Sequence, residues 1–284
     1  MPAIITPFGR LGSIDLSAHR HNVATLAGRG IEGFVLGGST GEGPFLEPGE
    51  RLALAAATRV AAPEAFVLVG LAAESVRMAI ALAAEAAEGG ADAVLAMTPT
   101  TLVRHRPDLI EGYFLDLAER SPVPVYLYSV PRVTALDLPL ESVVRLSHDS
   151  NIFGIKDSGG HPGKISSIAQ ASRAGFLVFC GASAAVSLSV AGGAHGAITA
   201  SANYAPALVA TVVASSLESV KAAAAAQERI RVLADAVERH GVSGVKYAAA
   251  KTGIVGGPPR RPLVAPNAAA KRAIDRALEQ AGLI

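Results

Sequence analysis

The stretch Asn151-Ile-Phe-Gly-Ile-Lys-Asp-Ser-Gly-Gly160 gives the first indication of the fold and of a reactive site. Its short apolar run ends on Lys156 and then breaks into polar residues and glycines, which is typical of a buried strand rather than a helix. A lysine at the end of such a strand lies where the apolar layer stops, and desolvation there favours the neutral amine. A neutral amine can attack a ketone and form a Schiff base whose iminium accepts electrons. The alternative is a lysine that reaches the surface and pairs with Asp157.

Short apolar runs alternate with helical segments through most of the chain. The predicted strands lie at 3–6, 33–37, 66–70, 93–97, 124–129, 152–156, 177–181 and 195–199. The predicted helices between them lie at 17–29, 48–61, 74–88, 107–120, 139–147, 162–174 and 183–192, with Ser17 as the predicted cap of the first. Strands that are apolar on both faces and alternate with helices predict an α/β fold, a (β/α)8 TIM barrel. An open doubly wound sheet is the alternative, but no G-x-G-x-x-G or Walker motif follows an early strand.

The pattern after residue 205 is helical only. Predicted helices lie at 206–217, 218–239, 243–252 and 267–281, and the first of them is the eighth helix of the barrel. We therefore predict a barrel over residues 1–217 and a C-terminal helical appendage over residues 218–284. Because no low-complexity linker separates the two regions, we expect the appendage to pack on the barrel.

Composition argues against several classes of function. The 284 residues carry a net charge of +1 and no Lys/Arg cluster, so no nucleic acid partner is expected. Cys180 is the only cysteine and the seven histidines are scattered, so neither a disulfide framework nor a metal site is predicted. The N-terminus has no signal-peptide pattern, and no apolar window is long enough to span a membrane. We expect a cytoplasmic protein, and a mean hydropathy of +0.38 is compatible with an oligomer.

Catalytic groups of a barrel lie at the carboxyl ends of its strands. The loop Gly37-Gly-Ser-Thr-Gly-Glu42 follows one strand, and its closely spaced N–H groups and two hydroxyls can hold a carboxylate. A plain glycine turn is the alternative interpretation. Tyr128 ends the strand before the lysine strand, and it either moves protons to a lysine-bound substrate or is a core tyrosine. We assign no acid–base role to the nearest carboxylates, Glu42 and Asp157.

Motifs along the whole chain resemble those of the dihydrodipicolinate synthase/N-acetylneuraminate lyase family of pyruvate-dependent class I aldolases. The resemblance covers nearly the full length, and its motifs fall in order at the ends of the predicted strands. These motifs are Ile5-Thr-Pro-Phe8, Gly38-Ser-Thr-Gly-Glu42, Thr98-Pro99, Tyr128-Ser-Val-Pro131, Gly154-Ile-Lys-Asp-Ser158, His195-Gly196 and Gly256-Gly-Pro-Pro-Arg-Arg-Pro-Leu263.

The resemblance implies roles for specific residues. Lys156 would be the Schiff-base lysine, Tyr128 the tyrosine that relays protons to and from it, and Ser39 a hydroxyl of the relay. Ser39 and Thr40 would bind the carboxylate of the keto acid. The further positions implied to bind substrate are Gly38, Gly181, Ile198, Arg132 and Thr101. The resemblance also implies that no metal or organic cofactor is used, and that the protein is a homotetramer built as a dimer of dimers.

Two positions depart from the lysine-biosynthetic members of this family. Their relay includes a second tyrosine that reaches across the dimer, and Thr101 stands at that position here. Threonine is too short to reach the same place and has a far higher pKa, which puts the usual relay in doubt. Those members also carry an arginine that binds the second substrate's carboxylate; Val133 stands there, with Arg132 one residue earlier. Because a shift of one residue can turn a side chain to another direction, Arg132 is not a safe substitute.

Within the family, the amino-acid sequence of several motifs is most similar to the 4-hydroxy-2-oxoglutarate aldolase type. Similar stretches are Gly38–Leu46, Tyr128–Pro131, Leu136–Pro139 and Lys156–Gly160. We therefore predict a lyase that cleaves a 4-hydroxy-2-keto acid reversibly to pyruvate and an aldehyde. The alternatives are a 4-hydroxy-tetrahydrodipicolinate (dihydrodipicolinate) synthase and a keto-acid-binding paralogue with little turnover.

Overall fold

The computed structural model describes all 284 residues, and a curled parallel sheet is its central element. Seven strands follow one another in chain order, each paired in parallel with the next. They are β1 (Gly33–Leu36), β2 (Phe66–Leu71), β3 (Ala93–Met97), β4 (Val125–Ser129), β5 (Ile152–Asp157), β6 (Leu177–Cys180) and β7 (Gly196–Ala197). The consecutive order excludes the doubly wound alternative, whose strand order reverses, and confirms an α/β barrel-like fold.

The predicted strand at 3–6 is wrong as a regular strand. Only isolated bridges form in this part of the chain, from Pro2, just before the predicted strand, to Thr199 and from Ala3 to Val35. These bridges lie between β7 and β1 and close the sheet. Proline has no N–H to donate, and the N–H of Ile5 binds the side chain of Asn203 at 3.0 Å instead of a neighbouring strand. The ladder therefore ends after a few hydrogen bonds.

Helices surround the sheet, and their bounds lie within a few residues of the predicted ones. The barrel helices are α1 (Leu16–Ala27), α2 (Glu50–Ala61), α3 (Val76–Glu88), α4 (Pro107–Arg120), α5 (Pro131–Thr134), α6 (Leu140–Leu146), α7 (Pro162–Ala171), α8 (Val186–Ala191) and α9 (Pro206–Glu218). Short 3₁₀ turns cover Gly43–Phe45, Ser183–Ala185 and Ser201–Asn203. The prediction that Ser17 caps the first helix is wrong: Asp15 accepts the N–H of Ala18 at 2.9 Å. Both residue types cap well, so only the local geometry decides between them.

Two apolar layers hold the fold together. Side chains on the inner face of the strands fill the barrel, and those on the outer face pack against the helices. None of the helices combines the length and the hydropathy needed to cross a bilayer.

Three more helices follow α9: α10 (Val220–Glu238), α11 (Gly241–Lys251) and α12 (Ala268–Gln280). Helix α10 packs against α8, α9 and the 3₁₀ turn after β6. Its last turn therefore reaches the face of the barrel at which the strands end. The division of the chain after residue 217 stays a prediction.

Candidate active site

Lys156 lies inside the barrel near the end of β5. It pairs in register with Tyr128 on β4, and its side chain is 3% exposed. Successive side chains of a strand point to opposite faces, so Asp157 points outward, where it pairs with Lys164 at 2.9 Å. The alternative in which Lys156 pairs with Asp157 is therefore wrong. No carboxylate lies within ion-pair distance of Lys156, which leaves a buried amine without a counter-ion.

Three polar groups form a chain from this amine. The Lys156 Nζ donates to the Tyr128 hydroxyl at 3.4 Å, and the same hydroxyl lies 3.4 Å from the Ser39 Oγ. Tyr128 itself is 5% exposed. Both contacts are at the long end of hydrogen bonding, and such distances are common where a bound substrate tightens the arrangement. The three residues that the sequence assigned to imine chemistry thus lie together.

The loop after β1 holds its shape through backbone contacts. Gly37 has a φ of +56°, and a Cβ on Gly41 would lie 2.9 Å from both the Gly37 nitrogen and the Ile4 oxygen. The backbone N–H groups of Ser39 and Thr40 donate to no other group of the chain. Free N–H groups in a tight turn can receive an anion. The loop is therefore suited to a substrate carboxylate.

A buried ion pair fixes the end of this loop. Glu42 adopts a left-handed backbone (φ 58°), and its carboxylate pairs with Lys246 of α11 at 2.5 Å. Both side chains are almost fully buried. Burial lowers the pKa of Lys246, and the hydrogen bond and charge of Glu42 oppose that shift. The pair links α11 to the loop that carries Ser39 and Thr40.

A cavity of about 510 Å³ opens above Lys156. The predicted site residues Ser39, Thr40, Tyr128, Arg132, Lys156 and Gly181 line it. Three further predicted residues do not. Gly38 borders a small adjoining cavity, and Ile198 packs in the barrel interior beside Tyr128. Thr101 lies on an exposed loop, where its N–H binds the Glu74 carboxylate at 2.8 Å.

Arg132 lies at the mouth of the cavity. Because Arg132 lies one residue before the position of the family's arginine, its side chain was expected to point elsewhere. In the structure, Arg132 and Val133 both line the cavity. The guanidinium forms no ion pair, and its one hydrogen bond is a long contact of 3.4 Å to the Glu238 carbonyl oxygen. It is therefore a cation available to a ligand.

Sequence analysis missed a carboxyl group in the same cavity. Glu238, in the last turn of α10, lines the wall, and its Oε1 accepts the hydroxyls of Ser183 at 2.7 Å and Tyr204 at 3.2 Å. Burial raises the pKa of Glu238, and these two hydrogen bonds with the charges of Arg132 and Lys156 offset part of the rise. No motif marks Glu238, since only the packing of α10 on the barrel brings it to the strand ends.

Comparisons with known proteins agree with this arrangement. The model of the dihydrodipicolinate synthetase family matches residues 1–281. A 4-hydroxy-tetrahydrodipicolinate synthase of Mesorhizobium japonicum is 34% identical, over 100% of this chain and 98% of the relative. The structure is similar to dihydrodipicolinate synthase from Acinetobacter baumannii in complex with pyruvate, with a TM-score of 0.94, 28% identity and coverage of 100% of this chain and 98% of the other. A dihydrodipicolinate synthase homologue from Thermus thermophilus gives a TM-score of 0.89, 33% identity and coverage of 99% and 98%.

These similar proteins are 4-hydroxy-tetrahydrodipicolinate or dihydrodipicolinate synthases, which favours the synthase alternative over the 4-hydroxy-2-oxoglutarate aldolase type. The order of motifs at the strand ends and the match over the whole chain lead to the same family. The chain belongs to the dihydrodipicolinate synthetase family.

Proposed function

We propose that this chain is a Schiff-base-forming lyase that makes or breaks the bond between C3 of pyruvate and the carbon of an aldehyde. The observation that carries the proposal is the buried Lys156 amine, which lacks a counter-ion and lies 3.4 Å from the Tyr128 hydroxyl. The amine is within reach of a keto acid bound in the cavity above it, and a neutral lysine amine is the nucleophile of Schiff-base chemistry.

In the proposed reaction, the Lys156 nitrogen bonds to C2 of pyruvate and the carbonyl oxygen takes up a proton. The C2–O bond then breaks, water leaves, and a cationic imine remains. Loss of a proton from C3 gives the enamine, which attacks the aldehyde carbon. Cleavage is the reverse: the electron pair of the breaking C3–C4 bond flows to the imine nitrogen. Tyr128 would give and take protons at the nitrogen and at the departing oxygen.

The substrate carboxylate would lie on the loop after β1. The free N–H groups of Ser39 and Thr40 point to this, since the loop faces the same cavity as Lys156. A second carboxylate, on the aldehyde partner, would bind the unpaired Arg132 at the mouth. The substrate would thus be held at both ends, with the reacting carbons above the amine.

We infer that the first reaction to assay is condensation of pyruvate with aspartate semialdehyde, because the relatives are synthases of 4-hydroxy-tetrahydrodipicolinate. The second reaction to assay is cleavage of 4-hydroxy-2-oxoglutarate, which the amino-acid sequence of Gly38–Leu46 and Lys156–Gly160 favours. Both substrates carry the second carboxylate that Arg132 would bind. In the assembly we propose, a homotetramer, the loop with Thr101 would lie at the subunit interface.

Steady-state assays with both substrate sets test the proposal. The expected result is turnover of at least one set by the wild type and none by Lys156→Ala, with Lys221→Ala on the surface of α10 as the matched control. Turnover by Lys156→Ala at the wild-type rate would contradict the mechanism. Pyruvate binding without turnover of either set would support the keto-acid-binding paralogue instead.

A further inference from the structure

The proposed reaction needs proton transfer at two places in the cavity, but Tyr128 lies at only one of them. Tyr128 lies against the Lys156 nitrogen and Ser39, where the imine forms. The oxygen on C4 of the substrate lies two carbons further from that nitrogen. It must lose a proton when the C3–C4 bond breaks and gain one when the bond forms. Thr101 occupies the sequence position at which lysine-biosynthetic members of the family have a tyrosine that reaches across the dimer. It is exposed and does not line this cavity.

Glu238 provides a carboxyl group in the cavity wall. Its Oε1 accepts two hydrogen bonds, whereas its Oε2 accepts none from the chain and is not enclosed by protein. Because Glu238 lines the cavity that holds Lys156, this free oxygen is available to a bound substrate. No Lys or Arg side chain lies within ion-pair distance of the carboxyl group. Asp235, the other carboxylate at the cavity, is instead exposed and pairs with Arg239.

A network of buried hydroxyl groups holds the Glu238 carboxylate in position. The Ser183 hydroxyl that donates to it lies 2.9 Å from Ser201 Oγ, which lies 3.0 Å from Thr199 Oγ1. Tyr204, the second donor, is 1% exposed. These contacts hold one carboxylate oxygen in place and leave the other without a partner in the chain. A group fixed in this way can meet a substrate oxygen at a defined position.

We propose that Glu238 is a further catalytic residue, which exchanges a proton with the oxygen on C4 of the substrate. This inference rests on the proposed function and specifies its carbon–carbon bond step. In cleavage, Glu238 Oε2 takes the proton of the C4 hydroxyl, the C4=O double bond forms, and the C3–C4 bond breaks. The electron pair of that bond becomes the enamine, with the imine nitrogen as the acceptor. In condensation the same proton returns to the aldehyde oxygen.

The environment of Glu238 makes its carboxyl group a stronger base than that of an exposed glutamate. Burial raises the pKa of its carboxyl group above the ordinary value. A base works best when its pKa approaches the working pH. The charged and titratable groups around it are Lys156 of β5, Arg132 of α5, Tyr204 before α9, Arg231 and Asp235 on its own helix, and Arg239 directly after that helix.

The substitution Glu238→Gln tests the assignment, because glutamine can still accept the hydrogen bonds of Ser183 and Tyr204 but cannot take a proton. Exchange of the pyruvate methyl protons in D₂O requires the imine and the enamine but not the C4 oxygen. We expect Glu238→Gln to retain this exchange and borohydride trapping on Lys156, and to lose roughly 10²–10⁴-fold in carbon–carbon cleavage or condensation. The matched control, Glu218→Gln, removes an exposed carboxylate at the end of α9, outside the cavity, and should leave all three reactions unchanged.

Three results would overturn the inference. One is an unchanged cleavage rate in Glu238→Gln. Another is an equal loss of methyl exchange, which would show that Glu238 only supports the Lys156 site. The third is a wild type that traps pyruvate but makes or breaks no carbon–carbon bond. Failure of the wild type to trap pyruvate would instead contradict the proposed function itself.

A second variant keeps the test decisive if Glu238→Gln does not fold. The Ser183 hydrogen bond holds the pKa of Glu238 down, so Ser183→Ala should raise it. Because the base must be ionised, the acidic limb of the cleavage rate should move to higher pH in Ser183→Ala. The pH profile of methyl exchange should not move with it. A cleavage limb at the wild-type position would contradict the assignment.

Discussion

Tyr128 and Lys156 occupy paired register positions on β4 and β5, and the phenol oxygen lies 3.4 Å from the amine nitrogen. The pairing follows from two neighbouring parallel strands whose side chains point into the barrel at the same level. The amine also lies 4.4 Å from the centre of the tyrosine ring. No carboxylate competes for the amine, so Tyr128 is its one polar side-chain neighbour within hydrogen-bond distance.

Tyr128→Phe should reduce turnover by roughly 10²–10⁴-fold, because it removes the proposed proton carrier beside the imine and leaves the ring in place. Tyr126→Phe is the matched control, since Tyr126 lies two residues earlier on the same face of β4 and outside the cavity. The measurement is single-turnover formation of the pyruvate imine together with steady-state turnover. Equal rates in Tyr128→Phe and wild type would show that another group carries the proton.

Glu42→Gln should strongly destabilise the protein, because it leaves the buried Lys246 ammonium without its carboxylate. Removing one partner of a buried pair costs about 3–5 kcal/mol. The free energy of unfolding in urea measures the loss. The control is Glu228→Gln, which breaks an exposed pair with Arg231 and should produce no measurable change. A similar stability for the two variants would show that the buried pair does not hold the loop after β1.

His19 predicts a dependence of stability on pH. Burial between α1 and α2 lowers the pKa of His19 from 6.5 to about 4, and its Nε2 lies 2.7 Å from Thr58 Oγ1. The unfolded state therefore binds a proton that the folded state excludes, so stability falls as the pH drops from about 6.5 towards 4. The loss is about 3 kcal/mol from this group.

Unfolding free energies at several pH values check this prediction. His19→Gln should have a flatter profile than the wild type between pH 6.5 and 4, whatever its absolute stability. His21→Gln, an exposed histidine on the same helix, is the control and should keep the wild-type slope. A wild-type slope in His19→Gln would mean that other groups cause the acid sensitivity.

Leu102 tests the proposed assembly. It lies on the loop after β3, next to Thr101, and is 92% exposed in the single chain. In the proposed homotetramer this loop lies at the subunit interface, so the exposed leucine should be covered by the partner subunit. Leu102→Glu should therefore yield smaller species by light scattering at micromolar concentration. Val60→Glu, at an exposed aliphatic position on α2, should not. The same mass for Leu102→Glu and wild type would place the interface elsewhere.

Much of this fold could be predicted from the sequence, because apolar runs and helix caps are local signals. The run that ends on Lys156 became β5, and the helix predicted at 107–120 has those bounds. Interactions between segments that are distant in the sequence could not be predicted from such local signals. The run at 3–6 has the apolar pattern of a strand, but the N–H of Ile5 binds the Asn203 side chain instead of a neighbouring strand, and the ladder ends there.

The same distinction between local patterns and long-range packing applies to the residues of the site. Lys156 and Tyr128 lie near the ends of strands and Ser39 follows one, so the rule for barrels predicts that they lie at one face, and they lie together in the structure. Glu238 and Ser183 meet only because α10 packs on the turn after β6, which no local pattern indicates. Thr101 and Ile198 were predicted at the substrate, yet neither lines the cavity of the single chain.

Borohydride reduction in the presence of pyruvate, followed by intact mass and peptide mapping, tests the central claim most directly. Lys156 is the buried amine at the cavity, so we predict one pyruvate-derived adduct per chain, on the peptide that contains Lys156. Lys156→Ala should carry none, whereas Lys221→Ala should be labelled as the wild type is. A folded wild-type protein that remains unlabelled, or an adduct on another lysine, would contradict the claim that Lys156 forms the Schiff base.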